Sequence, residues 1–306
     1  MKILIATEKP FAPAAVQEIR EELENAGHNV MLLEKYTSRQ ALLDAVQDAD
    51  AMIVRSDIVD EEVLAAASKL KIVVRAGAGY DNIDLAAATA HHVVVMNTPG
   101  QNANAVAELA LGLMVFAVRG MFGGASGIEL KGKKLGLHAF GNVARNVARI
   151  AQGFGMDVFA YDAYCEDEQM LNIGVTPVHS AAELYRSCNV VSLHIPATDE
   201  TRHSINYDLL ASMPQPALLV NTARKEVMAE EDLIRVMQER PDFRYMTDVM
   251  PAADQKMQEL FSERYFATPK KMGAQTAEAN RNAGVAAARQ IVEYFAFGNT
   301  RFQVNK

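Results

Sequence analysis

The sequence predicts an α/β protein built from two doubly wound parallel sheets joined by two long helices. Three observations carry that expectation. At 306 residues the chain is long for one hydrophobic core, so two domains are expected. Short β-branched runs alternate with amphipathic helical segments along the whole length, the pattern of successive strand–helix–strand units. Two helical stretches, 102–119 and 276–297, stand where the chain would leave one sheet and later return to it.

Taken in order, the first five strands are expected at 3–6, 30–33, 51–55, 72–75 and 93–97, with helical segments such as 14–26 and 61–69 between them. The stretch 102–119 is nearly all apolar, which suits a buried helix. Further strands are expected at 134–140, 158–161, 190–195, 218–222 and 245–249, with a short last one from Tyr265 that stops at Pro269. Residues 190–193 contain almost nothing polar, as in a sheet covered on both faces. A helix follows at 230–239, and another opens near Thr276. The domain division expected is 1–98 plus 283–306 around an inserted 99–282, with 120–127 a glycine-rich loop.

Composition narrows the function. Half of the residues are apolar, 22% are charged and the formal net charge is −8, which disfavours nucleic acid and anionic membranes as partners. A small anionic substrate held by a few local arginines remains compatible with that field. Cys165 and Cys188 are too few for a disulfide framework and lack metal-ligand spacing, so no metal is expected and a reducing, cytoplasmic setting is. The opening M-K-I-L-I-A-T-E-K-P has too short an apolar run for a signal peptide, and no segment is long enough to span a bilayer.

Four motifs sit at expected strand ends. In A-F-G-N-V-A the central glycine of a dinucleotide-binding turn survives as Gly141, opening a helix whose N-terminus suits a pyrophosphate. The next strand ends in Asp162, placed to accept hydrogen bonds from a ribose and to prefer NAD over its phosphorylated form. In V-R-A-G-A-G, small residues after Arg75 allow an amide nest for a carboxylate, with Arg55 at a neighbouring strand end. Two arginines and a nest suit an anion with more than one charged end. In V-N-T-A-R, Arg224 stands at the sheet's carboxyl edge, able to orient a carboxylate and polarise a carbonyl, and Asp248 ends another strand within reach of a nicotinamide carboxamide. The bland alternatives are ordinary strand-to-helix turns, a helix-capping aspartate and surface or salt-bridged arginines.

Together R-A-G-A-G-Y-D-N-I-D, V-M-N-T-P-G-Q-N-A-N-A-V-A-E, F-G-N-V-A-R, Y-D-A-Y, V-V-S-L-H-I-P-A-T-D-E-T-R-H-S-I-N and V-N-T-A-R resemble the D-2-hydroxyacid dehydrogenase family, most closely its phosphoglycerate dehydrogenases. The resemblance runs over nearly the whole chain. It implies two Rossmann-like domains, NAD as cofactor, a small phosphorylated 2-hydroxy acid as substrate and a homodimer built on the NAD domain. It also implies no regulatory module after the last helix. Carried over by position, Arg224 is the carboxylate-orienting residue. Gly141, Asn142 and Val143 hold the pyrophosphate, Asp162 the ribose and Asp248 the carboxamide. His194, Pro196 and Thr201 line the adenosine side, and Val106, Thr222 and Ala223 touch the cofactor. Arg75 and Ala76, Gly77, Ala78 and Gly79 match the carboxylate loop, and Arg55 with Arg75 matches the phosphate-binding arginines.

One departure bears on the chemistry. Where the family keeps a catalytic histidine after Thr-Pro, this chain has Lys270 and Lys271, and no histidine follows His203. Where the family keeps that histidine's glutamate, this chain has Ala253, with Asp254 next to it. A histidine base, of pKa about 6.5, gains from a carboxylate, whereas a lysine near 10.4 needs desolvation and positive neighbours instead. Losing the glutamate and gaining a lysine are therefore one coherent change. Counting from Thr268–Pro269 selects Lys270, the preferred choice, and counting back from Met272–Gly273 selects Lys271. The expected activity is oxidation of 3-phosphoglycerate to 3-phosphohydroxypyruvate. The rivals are a reductase of glyoxylate or hydroxypyruvate and a catalytically silent NAD-binding sensor or corepressor.

Overall fold

The computed structural model describes residues 1–305 and falls into two compact units, Met1–Asn102 with the segment from Thr276 onward, and Ala103–Gln275. In the first unit β1 (Lys2–Thr7), β2 (Asn29–Glu34), β3 (Ala51–Val54), β4 (Ile72–Arg75) and β5 (Val94–Asn97) form one parallel sheet in the order β2-β1-β3-β4-β5. Strand alternation divides its core. Leu4, Ala6, Met52, Val54, Val73 and Val95 face one side. Ile3, Ile5, Ala51, Ile53, Ile72 and Val74 face the other, against α1 (Pro13–Asn25) and the final helix α12 (Ala277–Phe297). The helices α2 (Arg39–Val46), α3 (Glu61–Ala66), α4 (Leu85–Ala90) and α12 start where Ser38, Asp60, Asp84 and Thr276 accept a backbone N–H three residues on.

The second unit carries a seven-stranded parallel sheet: β6 (Lys134–His138), β7 (Asp157–Tyr161), β8 (Thr176–Pro177), β9 (Val190–Leu193), β10 (Leu218–Asn221), β11 (Arg244–Thr247) and β12 (Tyr265–Ala267). Its order is β12-β11-β10-β9-β6-β7-β8. On one face Leu135, Leu137, Ala160, Val190 and Val220 pack against α5 (Ala103–Val118) and α6 (Asn142–Gly153). On the other lie α8 (Ala181–Ser187), α9 (Tyr207–Ala211), α10 (Glu230–Glu239) and α11 (Asp254–Phe261), whereas α7 (Asp167–Leu171) sends its Met170 into the core of the first face.

In both sheets the strand order reverses beside the first strand of the unit, between β1 and β3 and between β6 and β9. Such switch points open a crevice at the carboxyl ends of the strands. Among the described residues no helix is long and apolar enough to cross a membrane.

The structure moves several expected boundaries. The strand expected at 134–140 ends at His138, because Ala139 takes a φ of 76°. The strand expected at 245–249 ends at Thr247, where the backbone turns to bury Asp248. β8 was not foreseen, since two residues including a proline give no readable run. The units divide at 102/103 and 275/276 rather than at 98/99 and 282/283. The reason is that α5 packs its Ala107, Leu111 and Met114 on the second sheet, while α12 packs its Ala283 and Ala287 on the first.

Candidate functional site

The second unit's crevice begins with the β6–α6 turn. Phe140 N–H donates to Asp162 Oδ2 at 2.7 Å, and Tyr164 and Cys165 N–H donate to Oδ1 at 2.8 and 3.0 Å. One carboxylate thus ties the turn after β6 to the loop after β7. Gly141 precedes α6, and a Cβ built on it meets no protein atom within 4 Å. The glycine is therefore not required by packing; it leaves an open cradle in front of the first, intrinsically unpaired amides of α6, those of Asn142 and Val143. Ala139 stands where a glycine would be relaxed, since a left-handed backbone strains an L side chain by about 1–2 kcal/mol.

Beside this turn lies a cavity of about 630 Å³ lined by His138, Tyr161, Asp162, Pro196 and Thr201. Thr201 Oγ1 donates to the Pro196 carbonyl at 2.6 Å and accepts Thr198 N–H at 2.8 Å, so it shapes this wall. Burial lowers the His138 pKa to about 4 against a smaller opposing pull from Asp162. Burial, with a smaller push from His138, lowers that of His194 to about 3. Both rings are neutral at physiological pH. The His194 side chain is half-buried as a whole, but its Nε2 is shielded and has no protein partner, as is Thr222 Oγ1. An open phosphate cradle, a neutral imidazole in the wall, an acid at the next strand end and unmet polar atoms fit a dinucleotide.

At the end of β10, Asn221 builds the turn that presents Arg224. Its Oδ1 accepts Ala223 N–H at 2.9 Å and its Nδ2 donates to the Arg224 carbonyl at 3.1 Å, while Arg224 Nη1 donates to the Ala223 carbonyl at 2.9 Å. Sequence reading missed Asn221, although its place before Thr222 at a strand end marks it.

The lysines sit on a turn organised by Asp248, which is 1% exposed. Asp248 Oδ1 accepts the Thr268 hydroxyl and Met272 N–H, both at 2.7 Å, and Oδ2 accepts Gly273 N–H at 2.8 Å. A Cβ on Gly273 would lie 3.0 Å from Asp248 Oδ2 and 3.2 Å from Val106 Cγ2, so the glycine permits that close approach and Val106 borders the turn. Asp248 therefore fastens the turn, with three of its roughly four acceptor sites used within the protein. Lys270 and Lys271 are both exposed. Pro269 and Lys270 lie in a bend, so the alternation of an extended chain does not separate the two lysines. Asp254, beside the position of the missing glutamate, accepts the Tyr265 hydroxyl on its Oδ1 at 2.6 Å. Glu230 instead accepts Ala252 and Ala253 N–H, each at 2.9 Å.

In the first unit the adjacent carboxyl ends of β3 and β4 bring Arg55 and Arg75 together. Arg75 Nε donates to the Arg55 carbonyl at 2.9 Å. Arg55 donates to the Lys9 and Pro10 carbonyls at 2.8 and 2.9 Å and to Asn280 Oδ1 at 2.5 Å. Three of the five guanidinium donors are so used, and two remain for a ligand. Desolvation lowers the Arg55 pKa, opposed by Asp57. Asp57, 2% exposed, anchors the loop by accepting Glu8 N–H and the Tyr36 hydroxyl, each at 2.7 Å; the sequence reading had overlooked it. The expected nest of Ala76, Gly77, Ala78 and Gly79 is half spent. Ala76 N–H donates to the Val54 carbonyl at 2.8 Å and Gly77 N–H to the Arg75 carbonyl at 2.9 Å. Gly77 is favoured by its φ of 150°, and its missing Cβ leaves room for the Arg75 guanidinium. Among the described residues no cluster of His, Cys, Asp and Glu suits a metal ion.

Residues 118–269 match the model of the D-isomer specific 2-hydroxyacid dehydrogenase NAD binding domain. The chain is 34% identical over 290 residues to a hydroxypyruvate reductase of Thermotoga maritima, covering 89% of this chain and 91% of the relative. It is 35% identical over 269 residues to a D-3-phosphoglycerate dehydrogenase of Methanocaldococcus jannaschii, covering 83% of this chain and 51% of that one. The chain thus spans about half the length of the curated phosphoglycerate dehydrogenases it matches. Among solved structures, NAD+-bound 3-phosphoglycerate dehydrogenase of Entamoeba histolytica superposes with a TM-score of 0.89 at 49% identity, covering 100% of this chain and 99% of that one. The chain belongs to the D-2-hydroxyacid dehydrogenase family, and its second unit carries the family's NAD-binding fold.

Proposed function

We propose that the chain oxidises 3-phospho-D-glycerate to 3-phosphohydroxypyruvate, the entry step of serine biosynthesis, as a cytoplasmic homodimer joined through its NAD-binding unit. The observation that carries the reading is the Arg55–Arg75 pair at the adjacent ends of β3 and β4, two guanidiniums next to amides that suit a carboxylate. The names of the relatives from Methanocaldococcus jannaschii and Entamoeba histolytica support the same substrate. For the dimer, the support is Phe122, 67% exposed and edge-on to Phe116 in the second unit.

NAD, when bound, supplies the acceptor for the hydride of the carbinol carbon. Arg224 holds the substrate carboxylate and steadies charge on the reacting oxygen. One of Lys270 and Lys271 takes the hydroxyl proton, a step that needs no carboxylate partner. Arg55 and Arg75 hold the phosphate.

A second reading, reduction of hydroxypyruvate or glyoxylate, is favoured by the Thermotoga maritima relative, which this chain covers nearly end to end. Steady-state assays decide between them. 3-Phosphoglycerate with NAD should turn over with a kcat/KM at least about a hundredfold above that of glycerate, as expected when half-buried cations are left without their anion. Equal or better turnover of the unphosphorylated acids would establish the second reading. NADH binding without turnover of any acid would leave only a sensor.

A further inference from the structure

Gln290 is an oddity of α12. It is 7% exposed, it has the fully buried Ala287, Ala288 and Ile291 as helix neighbours, and its Oε1 has no partner. An apolar residue would spare the fold that unpaired oxygen. What the glutamine supplies is one donor: Nε2 donates to the Asn97 carbonyl at 3.0 Å, across the first unit from α12 to the end of β5. Asn97 passes the constraint on, its Nδ2 donating to the Ala78 carbonyl at 2.6 Å, and the next residue, Thr98, donates its N–H to the Gly77 carbonyl at 2.9 Å.

These contacts fix two peptide planes. In a trans peptide the carbonyl of one residue and the N–H of the next point in opposite directions. Drawing the Gly77 and Ala78 carbonyls toward β5 therefore aims the Ala78 and Gly79 N–H groups away from it. Those are the two amides of the turn that donate to no protein acceptor among the described residues. The other two, Ala76 and Gly77, are already spent inward.

We propose that Gln290 and Asn97 are positioning residues for the anion-binding turn: a relay from α12 through β5 that holds two carbonyls back and so presents two amides to the substrate carboxylate. The inference rests on reading Arg75 and this turn as the substrate-anion site.

The test compares Gln290→Met, Asn97→Asp and Arg75→Ala with the parent enzyme, reading KM for the acid, kcat, the NADH dissociation constant and Tm. Methionine keeps the length of Gln290 without its donor. Aspartate keeps the shape of Asn97 without its N–H. Both should raise KM about tenfold, the scale of one buried hydrogen bond, with NADH affinity unchanged. If Gln290→Met does not fold, the Asn97→Asp result decides alone. A raised KM in Arg75→Ala with parental KM in the two relay variants overturns the relay and leaves the site standing. Parental KM in Arg75→Ala itself overturns the site, and the relay with it. A fall in Tm with KM unmoved makes both residues merely structural and likewise overturns the proposal.

Discussion

The two units place ligands in the same way and differ in what they place there. Each has a parallel sheet whose order reverses beside its first strand, and each carries its candidate residues along the carboxyl ends of its strands. In the first unit the crevice is walled by cations, Arg55 and Arg75, tied to each other and to backbone carbonyls. In the second the cavity is lined by the neutral His138 and by the carboxylates Asp162, Asp199 and Glu200, with an open glycine cradle and, among the described residues, no arginine or lysine in its wall. A shared architecture thus carries a cationic crevice in one unit and a dinucleotide-binding fold in the other, set apart by a handful of strand-end residues. The fold chooses the place and the side chains choose the ligand.

The largest way to break this comparison is at the lysine turn. Of Lys270→Ala and Lys271→Ala, one should lower kcat by about 10²–10⁴, as loss of a general base does, and the other should change it little. Both should bind NADH like the parent in a fluorescence titration. Parental kcat in both variants would remove lysine from the mechanism. Next in size is Arg55→Ala, which should raise KM for the phosphorylated acid about 10–100-fold and leave NADH affinity alone. A matching loss of NADH affinity would mean that the two crevices do not act as separate ligand sites.

A smaller effect concerns the histidines, which only the second crevice has. Their folded pKa values of about 4 and about 3 lie below the ordinary value of 6.5, so the unfolded chain takes up protons first as pH falls. Their contribution to stability is complete above about pH 6.5 and is lost toward about pH 4, by at most about 1.4 kcal/mol per pH unit for each ring. Thermal melts should record a steady fall in Tm over that range, shallower in His138→Gln. A flat profile down to pH 5 would show the rings to be readily protonated. The smallest effect is at the cradle. Ala139→Gly relieves the strained φ but adds freedom to the unfolded chain, for a net gain of about 0.5–1 kcal/mol, read as a small rise in Tm. A lower Tm would mean that the methyl group's packing outweighs the strain.

Much of this was legible in the sequence because it lies at strand ends. Arg55, Arg75, Asp162 and Arg224 each follow a β-branched run, and the structure sets each one at a carboxyl edge. What the sequence hid depends on direction rather than place. Asp248 stands after a strand as expected, but which way its carboxylate faces is decided by a turn twenty residues on. The spending of the Ala76 and Gly77 amides depends on local dihedral angles that alanine and glycine leave open. Gln290 reads as an interruption of an apolar helix face, and its partner lies 193 residues away in the chain. Ala139 hid for the opposite reason: the residue suggests nothing unusual, and only the backbone does.

The grip of Asp248 has a consequence for motion. Three donors of one turn, two of them backbone amides, converge on a single shielded carboxylate. Such a turn opens as a whole or not at all, because freeing any one donor exposes the acid that holds the others. The Met272 and Gly273 amides should therefore exchange their hydrogens together and slowly, in a segment whose neighbouring lysine side chains are exposed. A rigid backbone would then fix where both lysines start from, whatever their side chains do.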